Sequence, residues 1–191
     1  MTKRIFATAL SLTLFLAAQA RADEVTDALQ AATDAYAAGD LGKTAQSLTM
    51  ATQAMSAQQT TLLAALLPAA PEGWTRTDTA DFAQSFGLMG GGSGAEARYD
   101  NADQTLSFTM SFVADNPMVA SMGAMLGNAQ MMAMMGKVEK VGDQALLNTD
   151  DNLSTLVNAR VLFQAQGAAS DVMLPLVQQI DFAKVGAFDS K

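Results

Sequence analysis

KVEKVGDQALLNTDDNLSTLVNARVLFQAQ, Lys137 to Gln166, is the stretch that decides the fold. Lys137 to Val141 and Gln144 to Thr149 flank Gly142-Asp143, a two-residue turn of the kind that joins adjacent antiparallel strands. Asp150-Asp151-Asn152 turns the chain again, into Leu153 to Gln166. That segment reads as a long strand, or as a strand with a bulge. Leu156, Arg160, Leu162 and Gln164 fall on one face and Val157, Val161 and Phe163 on the other, the period of two of a strand.

Working upstream, Pro117 to Met135 reads as a helix. Before it, Ala95 to Tyr99 and Thr105 to Val113 alternate as two antiparallel strands joined by Asp100-Asn101-Ala102-Asp103. Gly90-Gly91-Gly92-Ser93-Gly94 is predicted to be a flexible loop. The single Trp74, directly after Pro71-Glu72-Gly73, is predicted to be a buried anchor at a strand start. Downstream, Asp171 is placed as the cap of a last helix reaching Ile180, with Pro175 in its first turn. The order from residue 68 is then β-β-α-β-β-β-α, and an antiparallel sheet covered by helices buries it. The Pro-x-Gly-Trp entry, the central helix and the helix after the last strand resemble the Mog1/PsbP-like fold over residues 68–191. The resemblance implies a non-enzymatic accessory or assembly protein.

Residues 23–67 read as a helical hairpin. Val25, Leu29, Ala32 and Tyr36 share one helical face, and Leu41, Ala45, Leu48, Met55, Leu62, Leu63 and Leu66 carry the apolar face of a second helix. Gly39 suits the left-handed position after the first helix, Asp40 caps the second, and Pro68 and Pro71 end it. Ala35-Tyr36-Ala37-Ala38-Gly39-Asp40, with Ala45, Leu48 and Ala51, resembles one tetratricopeptide hairpin. No second copy follows, whereas a solenoid needs about three. The expected class is α+β: an N-terminal helical hairpin, then an antiparallel sheet flanked by a central and a C-terminal helix.

Residues 1–22 have the three parts of a secretory signal peptide: basic Lys3 and Arg4, an uncharged apolar run from Ile5 to Ala18, and Ala20-Arg21-Ala22 before the cut. The run is too short to span a bilayer comfortably. The expected organisation is therefore a signal peptide at 1–22, the hairpin at 23–67 and the sheet domain at 68–191. The expected location is the periplasm, with no integral membrane span after cleavage. Losing Lys3, Arg4 and Arg21 and no acid takes the basic residues from 11 to 8 against 19 acidic ones, and the net charge from −8 to −11. That charge disfavours nucleic acid.

The chain has no His and no Cys. This excludes Ser-His-Asp and Cys-His catalysis and ordinary zinc sites. No Ser stands three residues before a Lys, so the S-x-x-K nucleophile is excluded as well. Gly92-x-Gly94-x-x-Ala97 brushes against a dinucleotide fingerprint, but it leads toward a strand, where the fingerprint must open a helix. The acidic turns Asp100-Asn101-Asp103 and Asp150-Asp151-Asn152 lack EF-hand spacing and suit turn formation by their side chains.

Asn116 to Gly136 is the most unusual segment. It carries no charge and holds Met118, Met122, Met125, Met131, Met132, Met134 and Met135, out of 13 methionines in all. Thioethers in Met-x-x-Met and Met-x-Met spacings suit Cu(I). Methionine equally fills irregular cores and adapts at binding surfaces. Gly123-x-x-x-Gly127 allows another backbone to come close. The leading expectation is a non-enzymatic soluble periplasmic protein, without cofactor, that binds or supports another protein of the cell envelope. The alternatives are a methionine-based Cu(I) binder using these seven residues and, third, an enzyme relying on carboxylates alone.

Overall fold

The computed structural model describes residues 24–88 and 91–190. The predicted signal peptide, 1–22, lies outside the described residues. The chain divides into two compact units, 1–58 and 59–191.

The first unit is the helical hairpin. Helix α1 spans 24–37 and is joined by a tight turn to α2, Leu41–Leu66. Gly39 takes φ +76°, a conformation costly for any residue with a Cβ. The Asp40 carboxylate accepts a hydrogen bond from the Lys43 amide at 3.0 Å, capping α2 as expected. Small residues form the buried contact of this unit: Ala32 and Ala51 are its buried apolar side chains among the described residues.

The second unit begins within α2 and is built on one seven-stranded antiparallel sheet. Its elements are β1 (Trp74–Asp78), α3 (Phe82–Leu88), β2 (Ser93–Asn101), β3 (Ser107–Ala114), α4 (Pro117–Leu126), α5 (Ala129–Met135), β4 (Lys137–Val141), β5 (Gln144–Asn148), β6 (Asn152–Val157), β7 (Val161–Gln166), α6 (Ser170–Val177) and α7 (Phe182–Gly186). The strand order is β1-β2-β3-β7-β6-β5-β4, two meanders joined where β3 lies beside β7 with Phe112 opposite Phe163. Alternation puts Tyr99, Phe112, Leu153 and Phe163 on one face, under Met173, Val177 and Val185 of α6 and α7 and under Leu63 of α2 and Leu67 just after it. Val113, Leu147, Leu156 and Leu162 point the other way, against Phe86, Val119, Leu126 and Met132 of α3, α4 and α5.

Several local expectations are corrected. Residues 153–166 are not one strand but a hairpin, turning at Asn158 and Ala159 with φ +50° and +55° and the Arg160 amide donating to Val157. The turn keeps parity, so the predicted faces survive it. The helix at 117–135 breaks in two, because Asn128 caps α5 by accepting from Gln130 and Met131. The last helix starts at Ser170 and ends at Val177. Pro175 lies past its first turn, and Asp181 caps a separate α7. Helix α3 was not foreseen. Ser93 and Gly94 belong to β2 and are buried rather than looped out. Trp74 is only half-buried, edge-on to Phe108 at 5.3 Å between ring centroids.

Candidate interaction surface

The uncharged segment wraps over one face of the sheet. Asn116 is buried and starts α4, accepting from the Met118 amide at 2.9 Å and donating to the Gly91 carbonyl at 2.6 Å. Gly123 faces Leu156 of β6 and packs toward the sheet, whereas Gly127 ends the helix. The seven methionines divide by role. Met132 is buried in the core on this side of the sheet, and Met122 and Met125 pack against that core. Met118, Met131, Met134 and Met135 face outward, with Met134 80% exposed. The structure therefore does not gather all seven in one exposed set. It leaves α5 with three outward thioethers at 131, 134 and 135, one helical turn apart, in a stretch without charge.

A second outward apolar surface lies on the hairpin. Leu29 and Tyr36 of α1 and Leu41, Leu48 and Met55 of α2 are exposed, as is Leu62 farther along the same helix. These large members of the predicted apolar faces do not form the hairpin's buried contact. Alanines take that place because helices joined by a tight turn approach most closely through small side chains. The seven-residue step from Leu41 to Leu48, Met55 and Leu62 was readable in the sequence and is the signal that marks this stripe.

Other candidates have structural roles. Gly92 takes φ +108°, and a Cβ there would meet the Ala114 carbonyl at 2.8 Å, so the Gly-rich stretch serves a close backbone crossing. It leads into β2 and opens no helix. Asp100 accepts from Arg98 at 2.9 Å, and hydrogen bonds from Ser107 and Arg98 lower its pKa. Asn101 accepts from the Leu106 amide, and Asp150 turns the chain at φ +66°. Among the described residues no three His, Cys, Asp or Glu side chains gather as a metal group.

The most charged constellation was not foreseen. Arg160, at the β6–β7 turn, donates to both carboxylate oxygens of Asp115 at 2.7 Å and to those of Asp189 at 2.8 and 2.6 Å. Gln59 donates to Asp189 at 3.0 Å and accepts from the Ser93 hydroxyl at 2.6 Å. The Phe188 ring lies 5.1 Å from the guanidinium carbon. Both carboxylates are occupied, so the cluster ties loops together and offers no free acid or base. A polar cleft of about 540 Å³ between β2, β3, β6 and β7 is lined by Arg98, Ser107, Thr109, Asp151, Asn152 and Gln166. Its Arg98 is already paired with Asp100. Asp151 is the one carboxylate among the described residues that line it.

No helix among the described residues is long and apolar enough to cross a membrane. No protein-family model matches the chain, and neither the curated proteins nor the solved structures contain a match to it.

Proposed function

We propose that the chain is a non-enzymatic periplasmic protein that binds another protein of the cell envelope through the methionine face of α4 and α5. One observation carries this: Met118, Met131, Met134 and Met135 are exposed in a segment without any charged side chain. Flexible thioethers adapt to a partner's shape, and an exposed apolar patch fits a protein surface. The signal-like residues 1–22 support the compartment, and the Mog1/PsbP-like resemblance supports an accessory role by analogy. The tetratricopeptide-like hairpin is compatible with a binding role.

The test is photo-crosslinking in living cells from a reactive residue at position 134, with position 72 on the exposed Pro71–Gly73 turn as control. A discrete adduct at 134, absent at 72 and lost in Met131→Glu/Met135→Glu, is expected. Adducts equal at the two positions would refute it. Mass spectrometry of fractionated cells should find an N-terminus at Asp23 in the periplasm. An intact Met1 terminus in the cytoplasm would overturn the compartment.

One observation favours a second reading, Cu(I) binding: Met131, Met134 and Met135 are outward within one turn of α5. An anaerobic competition titration against a Cu(I) chelator separates the two. No stoichiometric copper is expected. One copper held by the wild type and lost in Met131→Leu/Met134→Leu/Met135→Leu would reverse the order.

A further inference from the structure

The hairpin carries the same spacing twice. Leu29-x-x-Ala32-x-x-x-Tyr36 on α1 is matched by Leu48-x-x-Ala51-x-x-x-Met55 on α2. In both, the alanine is buried and the two large residues are exposed, Tyr36 by 68%. Residues three before and four after a helical position sit on the same side of it. In antiparallel neighbours that offset carries both pairs to one flank. Leu41, also 68% exposed, extends the flank by the same seven-residue step.

We infer that this flank is a self-association surface, occupied by the hairpin of a second copy of this chain. Three features select that occupant. A seven-residue step along a helix calls for a partner helix of the same period, which an identical hairpin supplies. Because both helices present the same spacing, two copies related by a two-fold axis each offer what the other needs. The flank is also uncharged. Lys43 is the one charged residue of α2, and Glu24, Asp27 and Asp34 fall on other sides of α1 by helical spacing. Chains of net charge −8, or −11 without residues 1–22, can therefore meet here without close like-charge contacts. Five side chains at about half exposure each offer on the order of 100 Å², so two copies bury roughly 1,000 Å², the lower bound of a specific interface. A dimer that dissociates on dilution follows.

The test uses protein produced from the complete sequence, measured by sedimentation velocity from 1 to 100 µM. The wild type should shift from monomer to dimer mass across that range. Leu48→Glu/Met55→Glu should stay monomeric with an unchanged circular dichroism melt. Gln46→Glu/Gln53→Glu, which adds the same charge on the far side of α2, should dimerise like the wild type. A native readout needs no variant: peroxide oxidation of Met55 should slow several-fold at 100 µM relative to 1 µM, while exposed Met50 on the other side of the helix reacts equally at both. A wild type that is monomeric at 100 µM overturns the inference. So does a dimer that survives Leu48→Glu/Met55→Glu, or equal protection of Met50 and Met55. None of these outcomes touches the methionine face of α5, so the two proposals fail separately.

Discussion

Arg160 holds Asp189 with two parallel hydrogen bonds, at 2.8 and 2.6 Å, across 29 residues of chain. The same guanidinium holds Asp115, so the β3–α4 turn, the β6–β7 turn and the segment after α7 meet at one cation. Bidentate pairing of this kind fixes orientation as well as charge.

The pH dependence follows from that pair. Hydrogen bonds from Arg160 hold the Asp189 carboxyl down at about 2, against an ordinary value of 3.8. A group whose folded pKa is depressed stabilises the fold fully above its unfolded value and loses that contribution as pH falls toward the folded value. The stabilising effect of Asp189 should thus fade between about pH 4 and 2. The carboxylate is partly exposed and screened, so the amount is no more than about 1 kcal/mol. Urea midpoints of wild type and Asp189→Asn should differ at pH 5 and converge near pH 2. A gap that stays constant across that range would show that the pair adds nothing.

Ala159 takes φ +55° in the β6–β7 turn, where a Cβ is strained. The left-handed conformation costs an alanine roughly 1–2 kcal/mol, partly offset by the chain entropy a glycine loses on folding. Ala159→Gly should therefore raise stability by about 0.5–1 kcal/mol, read as a higher denaturation midpoint. A lower midpoint would mean that the turn relaxes without strain.

Trp74 is half-buried, so its truncation removes less than a core aromatic would. Trp74→Ala should cost about 1.5–3 kcal/mol, below the 3–5 typical of full burial. Its fluorescence maximum should lie between those of buried and free indole. Emission as red as free indole would place the ring outside its contact with Phe108.

Burial separates the methionines. Met132→Ala opens a cavity in the core that Met132 shares with Leu147 and Leu156 and should cost about 2–5 kcal/mol. Met134→Ala, at an exposed position, should change stability by no more than about 0.5 kcal/mol. Chemical denaturation of both variants checks the contrast, and equal costs would contradict the placement of α5.

Much of the fold was legible locally. The faces of 153–166, the Gly142-Asp143 hairpin and the Gly39-Asp40 turn each depend on neighbours in sequence, so alternation and turn chemistry determined them. The β6–β7 turn escaped because Asn-Ala lacks the glycine that usually marks positive φ, and the break before α5 escaped because the Gly127-Asn128 signal sits inside one long methionine-rich segment without charge. The α2 stripe was visible as a pattern, but its direction was not. A helix with leucines on one side and alanines on another can bury either, and only close approach to α1 selects the alanines.

The amino-acid sequence by itself determined the class, the periods of the elements and the chemistry that lacking His and Cys forbids, because these rest on residue type and short-range geometry. Tertiary structure alone decided that β3 lies beside β7, that Asp115, Arg160 and Asp189 converge, and which methionines face out. Those outcomes turn on pairing between distant segments and on which apolar faces compete successfully for one interior. That competition is settled by the burial of the whole chain and is written in no single stretch of it.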